Sequence, residues 1–168
     1  MKRAEVLRQR IQWCTGFFIF ALVLSGLTAI PLNWELDRLV NWLGLAGQTS
    51  ATVPSELAHW LLTARGALQD VSVNHPLLFY GTDWLAFGHF VIALAFVGAL
   101  RDPVRNRWLF DFGLIACGLV IPFALVFGGV RGIPLWWRLI DCSFGVFGFV
   151  PLWFCRKWVR QLEQRKPD

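Results

Sequence analysis

The sequence predicts an all-α fold, an integral membrane bundle of four transmembrane helices with an outer amphipathic helical segment. Of the 168 residues, 56% are hydrophobic and only 16% are charged, and the mean hydropathy is +0.51. Soluble domains rarely reach this apolar fraction. Four apolar runs are each long enough to cross a bilayer. Seven of the ten tryptophans lie near the ends of these runs, where interfacial rings are typical.

We predict a single membrane domain over residues 1–168. Its spans are expected at about 13–31, 82–100, 108–127 and 135–154. The first apolar run follows a basic and polar start, a pattern shared with secretory signal peptides. We expect this run to be retained as the first span, ending at Pro31. No internal repeat or low-complexity segment interrupts the pattern.

Residues 32–80 form the one sizeable region outside the spans. Apolar residues recur at helical spacing in 33–46 and in 54–64, and Gly66 is a suitable stop for the second of these helices. Neither apolar face is long enough to span a bilayer. We expect residues 70–80 to be an irregular connector. Three tryptophans favour an interfacial position for the two helices: Trp34, Trp42 and Trp60.

The distribution of basic residues predicts the orientation. Four Lys or Arg precede the first span, three lie in 101–107 and five follow the fourth span, whereas only four lie on the other side. This positive-inside asymmetry places both termini in the cytoplasm of a bacterial cell, with the spans in the cytoplasmic (inner) membrane. The net charge of +5 is therefore interpreted as a topology signal, and no nucleic-acid partner is expected.

Ionisable residues inside spans are costly, so each is a functional candidate. His89 lies about 10 Å inside the second span, and Asp141 is expected at a similar depth in the fourth, because both spans begin on the outer side. We predict an outward-facing polar cluster of five residues: Asp83, His89, Arg131, Arg138 and Asp141.

Three roles are open for this cluster. His89 and Asp141 can hydrogen-bond to one another while Arg138 neutralises the acid, which would hold the bundle together. The cluster can also bind a lipid head group, a quinone or another amphiphile. Finally, His–Asp pairs perform general acid–base catalysis. No Ser or Cys nucleophile lies at a convincing spacing, so we name no catalytic residue, and an enzyme is the less favoured class.

No metal site is predicted. His59, His75 and His89 lie on three different elements without ligand spacing. The four cysteines form no Cys-x-x-Cys pair and are interpreted as small apolar packing residues: Cys14, Cys117, Cys142 and Cys155. No cofactor is expected, although a bound lipid or pigment would suit the many Trp and Phe side chains.

Two local patterns concern helix packing. Arg107 and Asp111, spaced i, i+4, are expected to form an ion pair at the start of the third span. Gly145 and Gly148 lie on the same face of the fourth span as Asp141, and small residues there allow another helix to approach closely.

Three different short motifs lie along the chain. They are Ser25 and Pro31 at the end of the first span, Asp83, His89 and Phe90 at the head of the second, and Arg131, Asp141, Gly145 and Gly148 in the last hairpin. This pattern resembles the VanZ-like family of small bacterial membrane proteins. The chain lacks the Glu and Gln that the family usually carries before the arginine turn. The resemblance implies a four-helix envelope protein, linked in some members to glycopeptide-type antibiotic resistance.

Two functions follow as expectations. The first is a non-catalytic membrane accessory or subunit protein that packs with partner membrane proteins, membrane lipids or pigments. The second is an envelope- or lipid-modifying, or amphiphile-binding, VanZ-like protein that uses the polar cluster.

Overall fold

Every regular element that the structure describes is helical. The computed structural model describes residues 2–164, the side chain of Lys2 excepted. Six α-helices follow one another: α1 (Lys2–Ala29), α2 (Leu32–Trp42), α3 (Glu56–Asn74), α4 (Pro76–Arg101), α5 (Arg107–Val130) and α6 (Leu135–Glu163). A single 3₁₀ turn, Ser50–Thr52, lies between α2 and α3.

The all-α prediction is confirmed for the described residues, and so is the prediction of four long apolar helices. Helices α1, α4, α5 and α6 are each long and apolar enough to cross a membrane. Helices α4, α5 and α6 extend beyond the spans that the sequence predicts, whereas α1 starts earlier, at Lys2, and ends at Ala29 rather than at Pro31. Helix α6, for example, continues to Glu163, because its polar end remains attached to α5 through ion pairs. Arg165 and Lys166, which enter the count of basic residues, lie outside the described residues.

The segment between α1 and α4 is more helical than the sequence predicts. The predicted connector over 70–80 is wrong, because α3 continues to Asn74 and α4 starts at Pro76. Proline suits the first turn of a helix, where its missing N–H leaves no bond unmade. Helix α2, in turn, ends at Trp42 rather than at residue 46. Gly44 follows with a φ of 70°, a left-handed conformation that stops the helix.

The chain forms two compact units, and α1 and α4 contribute residues to both. Unit 1 is Met1–Ala21 with Ile92–Asp168, and unit 2 is Leu22–Val91. The prediction of one membrane domain over the whole chain stays a prediction.

Unit 1 has the larger apolar core. Helices α1, α4, α5 and α6 all contribute to it, and its fully buried side chains include Ile11, Phe96, Phe110 and Leu152. Phe96 contacts Phe18 with ring centroids 4.8 Å apart, and it meets Phe110 edge-on. Such a cluster excludes solvent from the middle of the unit and holds the four helices against one another.

One polar contact lies inside this core, between α1 and α6. Thr15 is fully buried, and its hydroxyl lies 3.8 Å from the Cys155 sulfur. That thiol also donates to the Ile11 carbonyl over 3.8 Å. The two bonds satisfy groups that would otherwise be buried without partners, and they bring the N-terminal half of α1 against the C-terminal half of α6.

Unit 2 is organised around the pairing of α2 with α3. Val40 and Leu61 are buried there, and the Asp37 carboxylate accepts from Arg65 Nε at 2.5 Å and from Gln69 Nε2 at 3.2 Å. These two donors lie on either side of Gly66, where the sequence predicts a helix stop. The stop prediction is wrong because contacts with α2 hold both sides of this glycine in the helix, and such contacts routinely override local propensity.

The predicted Arg107–Asp111 ion pair is wrong. Asp111 accepts from Arg156 Nε at 2.5 Å, and Arg107 donates to Glu163 at 3.0 Å. Both partners lie on α6. Since α5 and α6 pack side by side at this end, a partner across the helix interface replaces the one in the next turn of the same helix.

A double-mutant cycle distinguishes the two pairings. We expect Asp111→Asn and Arg156→Gln to be coupled by about 1 kcal/mol in the free energy of unfolding, the upper end for partly exposed pairs. The measurement is unfolding of the purified protein in mixed micelles of neutral detergent and dodecyl sulfate.

The matched cycle, Asp111→Asn with Arg107→Gln, should show coupling near zero. A larger coupling in this second cycle than in the first would restore the pairing within α5 and contradict the observed one.

Candidate functional site

The turn between α5 and α6 positions two of the predicted polar residues, Arg131 and Arg138. Helix α5 ends at Val130, and the Arg131 N–H donates to the Phe127 carbonyl at 3.0 Å. Gly132 follows with a φ of 70°, which a residue without a side chain adopts at little cost. Pro134 then precedes the first residue of α6. This tight connection keeps α5 and α6 adjacent and leaves the Arg131 side chain exposed.

Arg138, in the first turns of α6, reaches back to α5. Its Nη1 donates to the Leu125 carbonyl at 3.1 Å. The aliphatic part of the side chain lies against Gly128, where a Cβ atom would overlap its Cγ and Cδ atoms. The Nε atom is buried and has no hydrogen-bond partner within residues 2–164. Arg138 therefore ties the two helices together near their connection.

A groove opens beside this contact, along one face of α5 and the start of α6. Its volume is about 570 Å³, and its walls are mostly apolar. Asp141 and Arg131 are the two charged residues that line it, and Asp141 is partly exposed. The remaining lining residues are Ala116, Leu119, Val120, Phe123, Ala124, Phe127, Gly128 and Ile133.

The lining of this groove combines a mostly apolar wall with two charged groups. Ligand sites are commonly apolar clefts in which a few polar groups set the orientation. Here the Phe123 and Phe127 rings, 4.5 Å apart, form an aromatic wall suited to an alkyl chain. The Arg131 guanidinium and the Asp141 carboxylate supply one positive and one negative group for a polar head.

The other two predicted residues, Asp83 and His89, belong to α4 within unit 2. Asp83 is exposed and lines a shallow depression of about 260 Å³ together with Tyr80, Trp84 and Phe87. His89 is partly exposed, and its Nδ1 donates to the Leu85 carbonyl one turn earlier, at 2.8 Å. This bond places the proton of the neutral ring on Nδ1 and leaves Nε2 as the acceptor.

The predicted cluster is thus divided between the two units. Arg131, Arg138 and Asp141 belong to unit 1, where Arg131 and Asp141 share the groove and Arg138 bonds to the Leu125 carbonyl. A single five-residue cluster stays a prediction. The sequence analysis missed the groove face of α5. Its signal was the recurrence of Ala116, Val120, Phe123 and Phe127 at spacings of three and four.

Gly145 and Gly148 lie where α6 packs closely against α5 at Cys117. A Cβ atom at Gly145 would lie 2.5 Å from the Cys117 carbonyl oxygen, and one at Gly148 would lie 2.8 Å from the Cys117 sulfur. Gly145 therefore allows a close approach of the two backbones, and Gly148 makes room for the Cys117 side chain.

The described residues contain no group of three His, Cys, Asp or Glu side chains that could hold a metal ion. All four cysteines are free thiols. Comparison of the chain with protein-family models, with curated proteins and with solved structures finds no match.

The close approach at Gly145 makes a testable prediction. Gly145→Ala should lower the free energy of unfolding by about 1–3 kcal/mol, because the added methyl group overlaps a backbone oxygen that can move only with the whole of α5. The measurement is dodecyl sulfate unfolding in detergent micelles, followed by circular dichroism.

Gly118→Ala is the matched control, since a Cβ atom at Gly118 meets nothing within 4 Å. It should be neutral or slightly stabilising, because alanine is the better helix former. Equal stability of the two variants would show that α5 and α6 are not in close contact at Gly145.

Proposed function

We propose that this protein is a multi-pass protein of the bacterial cytoplasmic (inner) membrane that acts without catalysis, as an accessory protein that binds a lipid-like amphiphile in the groove between α5 and α6. The groove is the observation that carries this proposal. It combines an apolar, aromatic wall with one positively charged residue, Arg131, and one negatively charged residue, Asp141. This combination suits a molecule with an alkyl chain and a polar head.

Insertion into a membrane is supported by the exposed surface of the four long helices. Large apolar side chains project from them, among them Phe147, exposed by 73%, Leu94 by 71% and Phe123 by 64%. In water each of these side chains would expose hydrocarbon surface, at a free-energy cost of roughly 25 cal/mol per Å². In a bilayer the same side chains meet lipid tails, while helical hydrogen bonds satisfy the backbone.

The orientation with both termini in the cytoplasm is supported by the sequence asymmetry of twelve Lys or Arg on one side against four on the other. In that orientation, the turn at Arg131 and the α2–α3 pair face the periplasm. The groove then opens within the outer half of the bilayer, beside the head groups of the outer leaflet.

A second candidate is an envelope- or lipid-modifying role like that implied by the VanZ-like resemblance. The observation that favours it is the Asp141 carboxylate, which is partly exposed to the groove and therefore within reach of a bound head group. Under either proposal, a partner membrane protein would pack on the exposed aromatic faces of the long helices.

The proposed orientation is tested with reporter fusions. Green fluorescent protein at the C-terminus should fluoresce, because it folds in the cytoplasm. Alkaline phosphatase inserted after Gly47 or after Gly132 should be active, because it needs the oxidising periplasm. Alkaline phosphatase inserted after Arg105 should be inactive. An active phosphatase after Arg105 together with an inactive one after Gly132 would show that the orientation is the opposite one.

The amphiphile proposal is tested by filling the groove. Ala124→Trp places an indole among the lining residues, so labelling of α5 by a phospholipid with a photoactivatable acyl chain should fall about tenfold, equivalent to about 1.4 kcal/mol. Labelling is measured by mass spectrometry of the purified protein in detergent micelles. Val126→Trp is the matched control, because Val126 is exposed and does not line the groove. If both variants label alike, lipid contact is unspecific and the proposal fails.

A further inference from the structure

A second groove, of different character, lies at the end of unit 1 that carries the start of α1 and the end of α6. Its volume is about 320 Å³. The two helices are held together beside the groove by the bonds of Cys155 to Thr15 and to the Ile11 carbonyl. The groove is therefore built between two packed helices.

Three cations line this groove: Arg3, Arg10 and Lys157. No acidic residue lines it. Asp111 on α5 pairs with Arg156, and Glu163 on α6 pairs with Arg107. Glu5, on α1, is exposed and forms no ion pair within residues 2–164. The positive charge of the groove is therefore not neutralised by an ion pair within the described residues.

Two aromatic rings also line the groove. Phe154 and Trp158 both line it, and their rings are stacked with centroids 5.6 Å apart. Arg10 lies over the Trp158 ring, 6.0 Å from its centroid. Val6 adds an apolar side chain to the lining. The groove thus offers cations for a phosphate together with apolar and aromatic side chains for the start of an acyl chain.

We propose that this groove binds the head group of an anionic phospholipid from the inner leaflet. Basic pockets between membrane helices on the cytoplasmic side suit anionic lipid head groups, and each Lys or Arg near an anionic surface strengthens the attraction. The adjoining Phe154 and Trp158 rings favour a membrane lipid over free phosphate, which would have no use for an apolar wall. This inference rests on the proposed insertion with both termini in the cytoplasm, and it is independent of the amphiphile groove at the other end of α6.

Native mass spectrometry of the purified full-length protein tests the proposal. The protein in neutral detergent is offered equal amounts of phosphatidylglycerol and phosphatidylcholine. We expect phosphatidylglycerol to be retained preferentially. The triple variant Arg3→Gln, Arg10→Gln, Lys157→Gln should lose about fivefold in affinity for each charge, or about a hundredfold in all.

The matched control is Arg101→Gln, Arg105→Gln, Arg160→Gln, which removes three exposed cations from the same end without touching the groove. It should retain phosphatidylglycerol at nearly the parental level. Equal losses of phosphatidylglycerol affinity in both triple variants would show that the binding depends on general surface charge, and would overturn the proposal. Displacement of the lipid by millimolar inorganic phosphate would also overturn it, in favour of a free-phosphate site.

Two further measurements keep the outcomes separate. Circular dichroism and gel filtration check that the groove variant folds. If it does not, Lys157→Gln alone is compared with Arg160→Gln, with about a fivefold difference expected. Extraction of cell membranes with alkaline carbonate tests insertion by itself. Retention of the parental chain in the membrane fraction without lipid selectivity would reject the groove proposal alone, whereas its release would reject the proposed membrane function.

Discussion

The close packing of α5 against α6 is the constraint on which the rest of unit 1 depends. At Gly145 the two backbones approach so closely that a single methyl group would overlap the Cys117 carbonyl oxygen. Near the connection, Arg138 crosses to α5 and bonds to the Leu125 carbonyl. At the other end, Arg156 and Asp111 join the same two helices. Glycine in the middle and an arginine at each end therefore set the separation of the pair.

The two grooves lie at opposite ends of α6, the first along its packing with α5 and the second between α6 and α1. On the Arg131 side the helices diverge enough to leave a mostly apolar cleft, and the turn places one cation and one carboxylate at its lining. At the opposite end, α6 continues past its apolar run and meets the start of α1, so that Arg3, Arg10 and Lys157 lie around one depression. Asp111 and Glu163 pair with Arg156 and Arg107, and not with the three cations of this groove.

Arginine has two different roles within this one hairpin. Arg138 and Arg156 are largely shielded and stabilise helix contacts through charge-assisted or carbonyl hydrogen bonds. Arg131 is exposed at a groove, where its charge remains available to a ligand. Residue type and spacing along the helix did not separate these roles. They depend on which carbonyl or carboxylate of the neighbouring helix lies within reach.

The sequence by itself determined the all-helical class and the number of long apolar helices, because the length of an apolar run and its period are local properties. It also indicated where glycines face a neighbouring helix. The tertiary structure decided that α3 continues through Gly66, which residues pair with Arg107 and Asp111, and where the groove beside Arg131 lies. These features depend on contacts between residues far apart in the chain, such as Asp37 with Arg65 or Arg107 with Glu163, and helical periodicity contains no information about them.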